Sequence, residues 1–148
     1  MMLKNDEVNY CTKCTVKPIL KEHMYGSVMM MNREIKFRAW EKNLKEMIPV
    51  EEIDFNSLMI NQSTAWRFID EVELMQNTGL KDKNGTEIYE GDIVLDKLNN
   101  EYGEVVFDEG CFLVLWQEGQ NTVYQATREF YIEVVGNVYE NKNLLRSE

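Results

Sequence analysis

Apolar and polar residues alternate along much of this chain with period two, the mark of strands that bury one face. From Glu34, the residues Ile35, Phe37 and Ala39 alternate with Lys36, Arg38 and Trp40. Leu44, Met47, Ile48 and Val50 predict a second short strand halted near Pro49, with Glu41-Lys42-Asn43 as the turn between the two. Residues 51–64 are mixed, and Asn61-Gln62-Ser63-Thr64 reads as loop. Trp66, Phe68, Val72, Leu74 and Met75 give an extended segment whose register the pattern leaves open. After Gly91, short apolar runs alternate with turn residues: residues 93–95 then Asn99-Asn100, residues 103–107 then Asp108-Glu109-Gly110, residues 111–116 then Glu118-Gly119-Gln120. The unbroken run 111–116 points to burial on both faces, and residues 127–131 fit a helical turn before a last strand over 132–139. The fold class is therefore mainly β. An antiparallel meander closes into a small barrel-like domain, which hides its edges, with an additional N-terminal β segment and little helix.

One turn can be placed by comparing registers. A two-residue loop at Asn84-Gly85 would set Asp82 against Glu87, a like-charge pair. A three-residue loop, Lys83-Asn84-Gly85, closed by Gly85 at positive φ, sets Lys81 against Glu87 and Leu80 against Ile88. The second register is expected. Gly91 is expected to need an unusual backbone conformation, with Asp92 accepting from turn amides, and Gly79 after Thr78 reads the same way.

Three stretches carry a resemblance: residues 33–40, REIKFRAW; residues 74–94, LMQNTGLKDKNGTEIYEGDIV; and residues 134–141, VVGNVYEN. Together they resemble the YopX family of phage and prophage proteins, over about residues 31–145. That family has no established biochemical activity, so no catalytic residue is carried over. The resemblance implies a small cytoplasmic protein of a bacterial host, mostly β and tending to self-associate. Lys142 stands where related chains tend to have proline.

Residues 1–30 lie outside the resemblance, show neither alternation nor a helical stripe, and run into the triplet Met29-Met30-Met31. They read as an N-terminal extension, disordered or preceding a true start near Met31, the rival being a real arm. The domain proper is 31–145, with a possible subdivision into 31–75 and 76–145. No run approaches the ~20 apolar residues of a membrane span.

Charge narrows the partners. The chain carries −10 overall and −11 outside residues 1–31, where Lys4, Lys13, Lys17 and Lys21 outweigh Asp6, Glu7 and Glu22 by one. Such a surface repels a phosphate backbone, so nucleic acid is disfavoured as a partner and no membrane is expected.

Candidate chemistry is thin. Cys11-Thr12-Lys13-Cys14 offers two of the four ligands of a structural zinc site, with only His23 and the distant Cys111 to add. It also lacks the following helix of a redox motif. The three cysteines read as reduced thiols, with Cys111 a buried small apolar residue. His23 is the single histidine, which removes Cys-His pairs and Ser-His-Asp triads from residues 32–148. The carboxylate sets Glu90 with Asp92, Asp108 with Glu109, and Asp70 with Glu71 and Glu73 fit solvated turns in so acidic a chain. Glu34-Ile35-Lys36 matches only half of a nuclease strand, and Asp82-Lys83-Asn84-Gly85 places its glycine two residues too early for an EF-hand. No catalytic, cofactor-binding or metal residue is predicted, and no cofactor. The many aromatics are assigned to core and subunit interface, and Trp40 stands out on the face opposite Phe37.

The expected function is a non-enzymatic accessory protein acting as a homo-oligomeric protein-interaction module, with itself and a host or phage protein as partners. The alternative is a nucleic-acid-binding accessory protein using a small β-barrel groove and the basic cluster Arg33, Lys36, Arg38 and Lys42. A second alternative is a carboxylate- and metal-dependent hydrolase.

Overall fold

A computed structural model describes residues 34–62 and 65–146, which fall within one compact unit of the chain, Arg33–Glu148. The N-terminal extension, with Cys11, Cys14 and His23, lies outside the described residues, as does Arg33.

In chain order the strands are β1 (Phe37–Glu41), β2 (Glu46–Val50), β3 (Glu52–Asp54), β4 (Met59–Gln62), β5 (Ala65–Phe68), β6 (Val72–Lys81) and β7 (Glu87–Tyr89). They continue with β8 (Asp92–Asp96), β9 (Glu101–Asp108), β10 (Cys111–Leu115), β11 (Gln120–Thr122) and β12 (Ile132–Asn137). One helix, α1 (Val123–Glu129), precedes β12, and short 3₁₀ turns occupy Ile69–Glu71 and Lys142–Leu145. Three antiparallel sheets result, ordered β2-β1-β6-β7, β11-β10-β9-β8-β12 and β3-β4-β5. The protein is mainly β, and its meander curls into a half-barrel. No helix among the described residues is long and apolar enough to cross a membrane.

The alternation of β1 decides the layering. Ala39 packs with Ile48, Ile60 and Val72 in a core between the first sheet and the β3-β4-β5 sheet. Arg38 and Trp40 project from the other face, beside Met75 and Glu73, their register partners on β6. A second core joins Ile88 of β7 to Val94, Val105, Val114, Val123, Ala126 and Ile132. Strand β7 thus belongs to one sheet and packs into the other's core. Pro49 sits inside β2, which is an edge strand where a missing N–H is tolerated. Strand β6 runs unbroken through residue 75, so the possible division at 75/76 falls inside a strand.

Three local readings need correction. Asn61 and Gln62 are strand residues of β4, not loop. A β3-β4 hairpin forms because the Asp54 carboxylate accepts the Asn56 N–H at 2.9 Å and the Ser57 hydroxyl at 2.6 Å, which organises its tip. The helix begins at Val123 rather than near Thr127. Thr122 accepts from the Gln125 N–H at 3.1 Å and Gln125 Oε1 accepts from the Thr122 N–H at 3.0 Å, a capping box written in the sequence as T-V-Y-Q.

The third concerns the hairpin. Gly85 has φ +83, and Lys81 opposes Glu87. The next pair is not Leu80 with Ile88, because Asn77 opposes Tyr89 and the three residues Thr78, Gly79 and Leu80 bulge over Ile88. The bulge is held by side chains: Thr78 Oγ1 donates to the Ile88 carbonyl at 2.8 Å, and Asn77 Oδ1 accepts the Gly79 N–H at 2.7 Å, with Gly79 at φ +79. Gly85→Val is expected to cost about 1–2 kcal/mol in chemical denaturation, since no Cβ contact arises there and the left-handed backbone alone resists a β-branched residue. A loss below about 0.3 kcal/mol would show that the turn relaxes freely.

Asp82 does more than set the register. Its Oδ1 accepts the N–H groups of Asn84 and Thr86, both at 2.8 Å, and its Oδ2 accepts the Val134 N–H at 2.9 Å. One buried carboxylate therefore shapes the turn and docks it on β12. Nearby, Glu133 is shared by Lys97 at 2.7 Å and Lys83 at 3.1 Å, and these two ammonium groups hold its carboxyl down at about 2.

Candidate functional site

The three stretches that carry the resemblance converge on the junction between the first sheet and the half-barrel. Gly91, at φ +76, turns the chain from β7 into β8. Its N–H donates to the Val105 carbonyl at 2.7 Å, and its carbonyl accepts the Val138 N–H at 2.9 Å. Asp92, fully buried, accepts the Tyr89 N–H at 2.8 Å and forms an ion pair with Arg38, whose guanidinium lies 4.6 Å from the centre of the Tyr89 ring. Burial pushes the Asp92 carboxyl up, with Arg38 opposing. The Arg38 Nε has no hydrogen-bond partner. Asn137 closes the third stretch, its Oδ1 accepting from Tyr139 and Glu140 at 3.0 Å each. Trp40 stacks on Tyr139, centroids 5.5 Å apart and planes 10° apart. These residues hold two sheets together, which is an architectural role.

The charged groups weighed as candidate chemistry are dispersed. Of the basic cluster, Lys36 pairs with Glu87 at 2.6 Å, Arg38 with Asp92, and Lys42 with Glu73 at 2.8 Å. Their charge is spent inside the chain rather than along a groove. Among the carboxylate sets, Asp92 is buried and paired while Asp108 and Glu109 lie at the exposed β9-β10 turn. No group of three or more His, Cys, Asp or Glu among the described residues is placed to hold a metal. Cys111 differs from expectation: it opens β10 half-buried, next to the turn, rather than buried in the core.

A cleft of about 440 Å³ lies between the β1-β2 turn and β5, lined by Glu41, Asn43, Leu44, Trp66, Phe68 and neighbours. Glu41 is buried at its base, and its carboxylate accepts from the Leu44 N–H and from Asn43 Nδ2 at 3.2 Å; these bonds, the Leu44 one first, hold its carboxyl below the usual range. Around the cleft, on the outer face of the β3-β4-β5 sheet and in the β3-β4 turn, Leu44, Trp66, Phe68, Phe55 and Leu58 each keep between 41% and 76% of their surface exposed. The register explains the face: Asp54, Met59 and Phe68 are aligned, as are Glu52, Asn61 and Trp66, while Ile53, Ile60 and Arg67 point to the core side. Strand β5 is an edge, and two of its groups are covered from within the chain: Glu71 accepts the Phe68 N–H at 2.9 Å and Arg67 donates to the Trp66 carbonyl at 3.0 Å. This blunts strand-to-strand pairing and leaves the apolar face as the exposed feature. Sequence reasoning missed this face because residues 51–64 carry no clean alternation.

Comparison with known proteins places the architecture. The crystal structure of protein EF1440 from Enterococcus faecalis matches with a TM-score of 0.61 at 28% identity, over 76% of this chain and 99% of that one. The crystal structure of protein YopX from Bacillus subtilis matches with a TM-score of 0.52 at 21% identity, over 76% of this chain and 97% of that one. No curated protein matches. Residues 36–146 match the family of the YopX protein, three quarters of the chain, including the second and third convergent stretches whole and the first from Lys36, and the chain belongs to the YopX family.

Proposed function

We propose that this YopX-family chain is a non-enzymatic accessory protein of a phage or prophage, working in the bacterial cytoplasm as a homo-oligomeric protein-interaction module. The observation that carries the reading is the group of exposed apolar residues on the β3-β4-β5 sheet, Trp66 and Phe68 on its outer face and Phe55 and Leu58 in the β3-β4 turn. Large apolar side chains exposed in one neighbourhood are characteristic of contact surfaces, with Trp and Phe the residues that anchor them. Against a nucleic-acid role stand the net charge of −10 and the internal ion pairs of Lys36, Arg38 and Lys42. Light scattering at tens of micromolar tests it. The full chain is expected to give a multiple of 17.5 kDa, and the Trp66→Ser/Phe68→Ser variant to move toward the monomer. A wild-type mass of 17.5 kDa would remove self-association from the reading.

A further inference from the structure

On the opposite side of the first sheet from that face, we propose a second recognition site: the Trp40-Tyr139 stack receives an arginine side chain from the surface of a protein partner. The proposal does not rest on self-association. It starts from ring geometry. Trp40 covers one face of Tyr139, and Tyr139 keeps 40% of its surface exposed.

The backbone then fixes what surrounds the ring. The hydrogen bonds from Gly91 to Val105 and from Val138 to Gly91 bring the backbones of residues 90–91, 104–105 and 138–139 side by side, from three different segments. Glu73 enters from β6 as the register partner of Trp40. The carboxylates of Glu73, Glu90 and Glu104 act on the Tyr139 hydroxyl and, after burial, help to push it up. Glu73 is matched by Lys42, but Glu90 and Glu104 form no ion pair among the described residues.

Three other tyrosine rings supply the contrast. Tyr89 carries Arg38 at 4.6 Å, Tyr131 carries Lys83 at 3.9 Å and Tyr124 carries Arg128 at 5.5 Å. Tyr139, with Glu73, Glu90 and Glu104 acting on it, carries no cation among the described residues. An aromatic face attracts a cation through its quadrupole, and neighbouring carboxylates strengthen the attraction. A guanidinium suits this site better than an ammonium, because a flat, weakly hydrated group can lie on the ring and still offer N–H donors sideways to neighbouring carboxylates. A protein carrying that arginine is also drawn by the net charge of −10.

The probe is N-acetyl-argininamide, titrated into the ¹⁵N-labelled full chain, with N-acetyl-lysinamide alongside. The Trp40 indole signal, assigned by Trp40→Phe, is expected to shift saturably with millimolar affinity while the Trp66 and Trp116 signals stay in place. Glu90→Gln/Glu104→Gln is expected to weaken binding about fivefold, and Tyr139→Leu to abolish it, with the Trp66 and Trp116 signals unmoved as proof of folding. Absence of saturation, equal shifts at all three indoles, or equal binding of the lysine probe would each overturn the proposal.

Discussion

Arg38→Met is expected to destabilise the protein by about 3–5 kcal/mol at neutral pH, the cost of leaving a buried charge without its partner. Asp92 is fully buried where the sheets meet, and Arg38 is its only ion-pair partner among the described residues. Methionine fills the stem's volume but cannot compensate the carboxylate. The pH dependence follows from the direction of the Asp92 shift. Burial already raises its carboxyl above the ordinary 3.8, and Arg38 opposes that rise. Removing Arg38 raises it further, so the folded variant binds a proton more readily than the unfolded chain. The added destabilisation is fully present above the folded value and shrinks as pH falls through it toward the unfolded one. Urea denaturation at pH 7 and pH 5 should therefore show a smaller gap between variant and wild type at pH 5. A gap that is flat, or wider at pH 5, would mean that Asp92 is not the group left uncompensated.

Asp82→Ala is expected to cost about 2–4 kcal/mol, since one substitution deprives three backbone N–H groups of their acceptor. The Asn84 and Thr86 amides lie at an exposed turn and regain water, whereas Val134 is half-buried and regains less. Asp82→Asn should retain roughly half of the lost stability, because an amide can keep one acceptor while its NH₂ meets a donor. A loss below about 1 kcal/mol for Asp82→Ala would show that Lys83-Asn84-Gly85 holds the turn unaided.

The legible parts of the fold are those written in local chemistry. The alternation of β1, the meander after Gly91, and the positive φ of Gly79, Gly85 and Gly91 were readable because each is settled by neighbours in sequence. The T-V-Y-Q capping box at Thr122 was equally local, and placing the helix near Thr127 overlooked it. The Arg38-Asp92 pair was not legible, since it joins residues 54 apart and depends on β7 belonging to one sheet while packing into the core of the other. Acidic residues that read as solvated turn residues or as register problems proved to be buried acceptors, Asp82 and Asp92 among them. The exposed face of β3, β4 and β5 was hidden for a related reason. Its apolar residues, Met59, Trp66 and Phe68, alternate with Ile60 and Arg67 of the core side only after the hairpin is formed.

The central claim is that the signature residues serve the junction between sheets while the outer face of β3, β4 and β5 makes contacts. Hydrogen exchange of the full chain, compared at tens of micromolar and after a hundredfold dilution, tests this most directly. The predicted result is that amides within residues 55–68 gain exchange on dilution while those around Arg38, Gly91 and Asn137 do not change. Exchange at residues 55–68 that is independent of concentration, or a change confined to the junction, would contradict it.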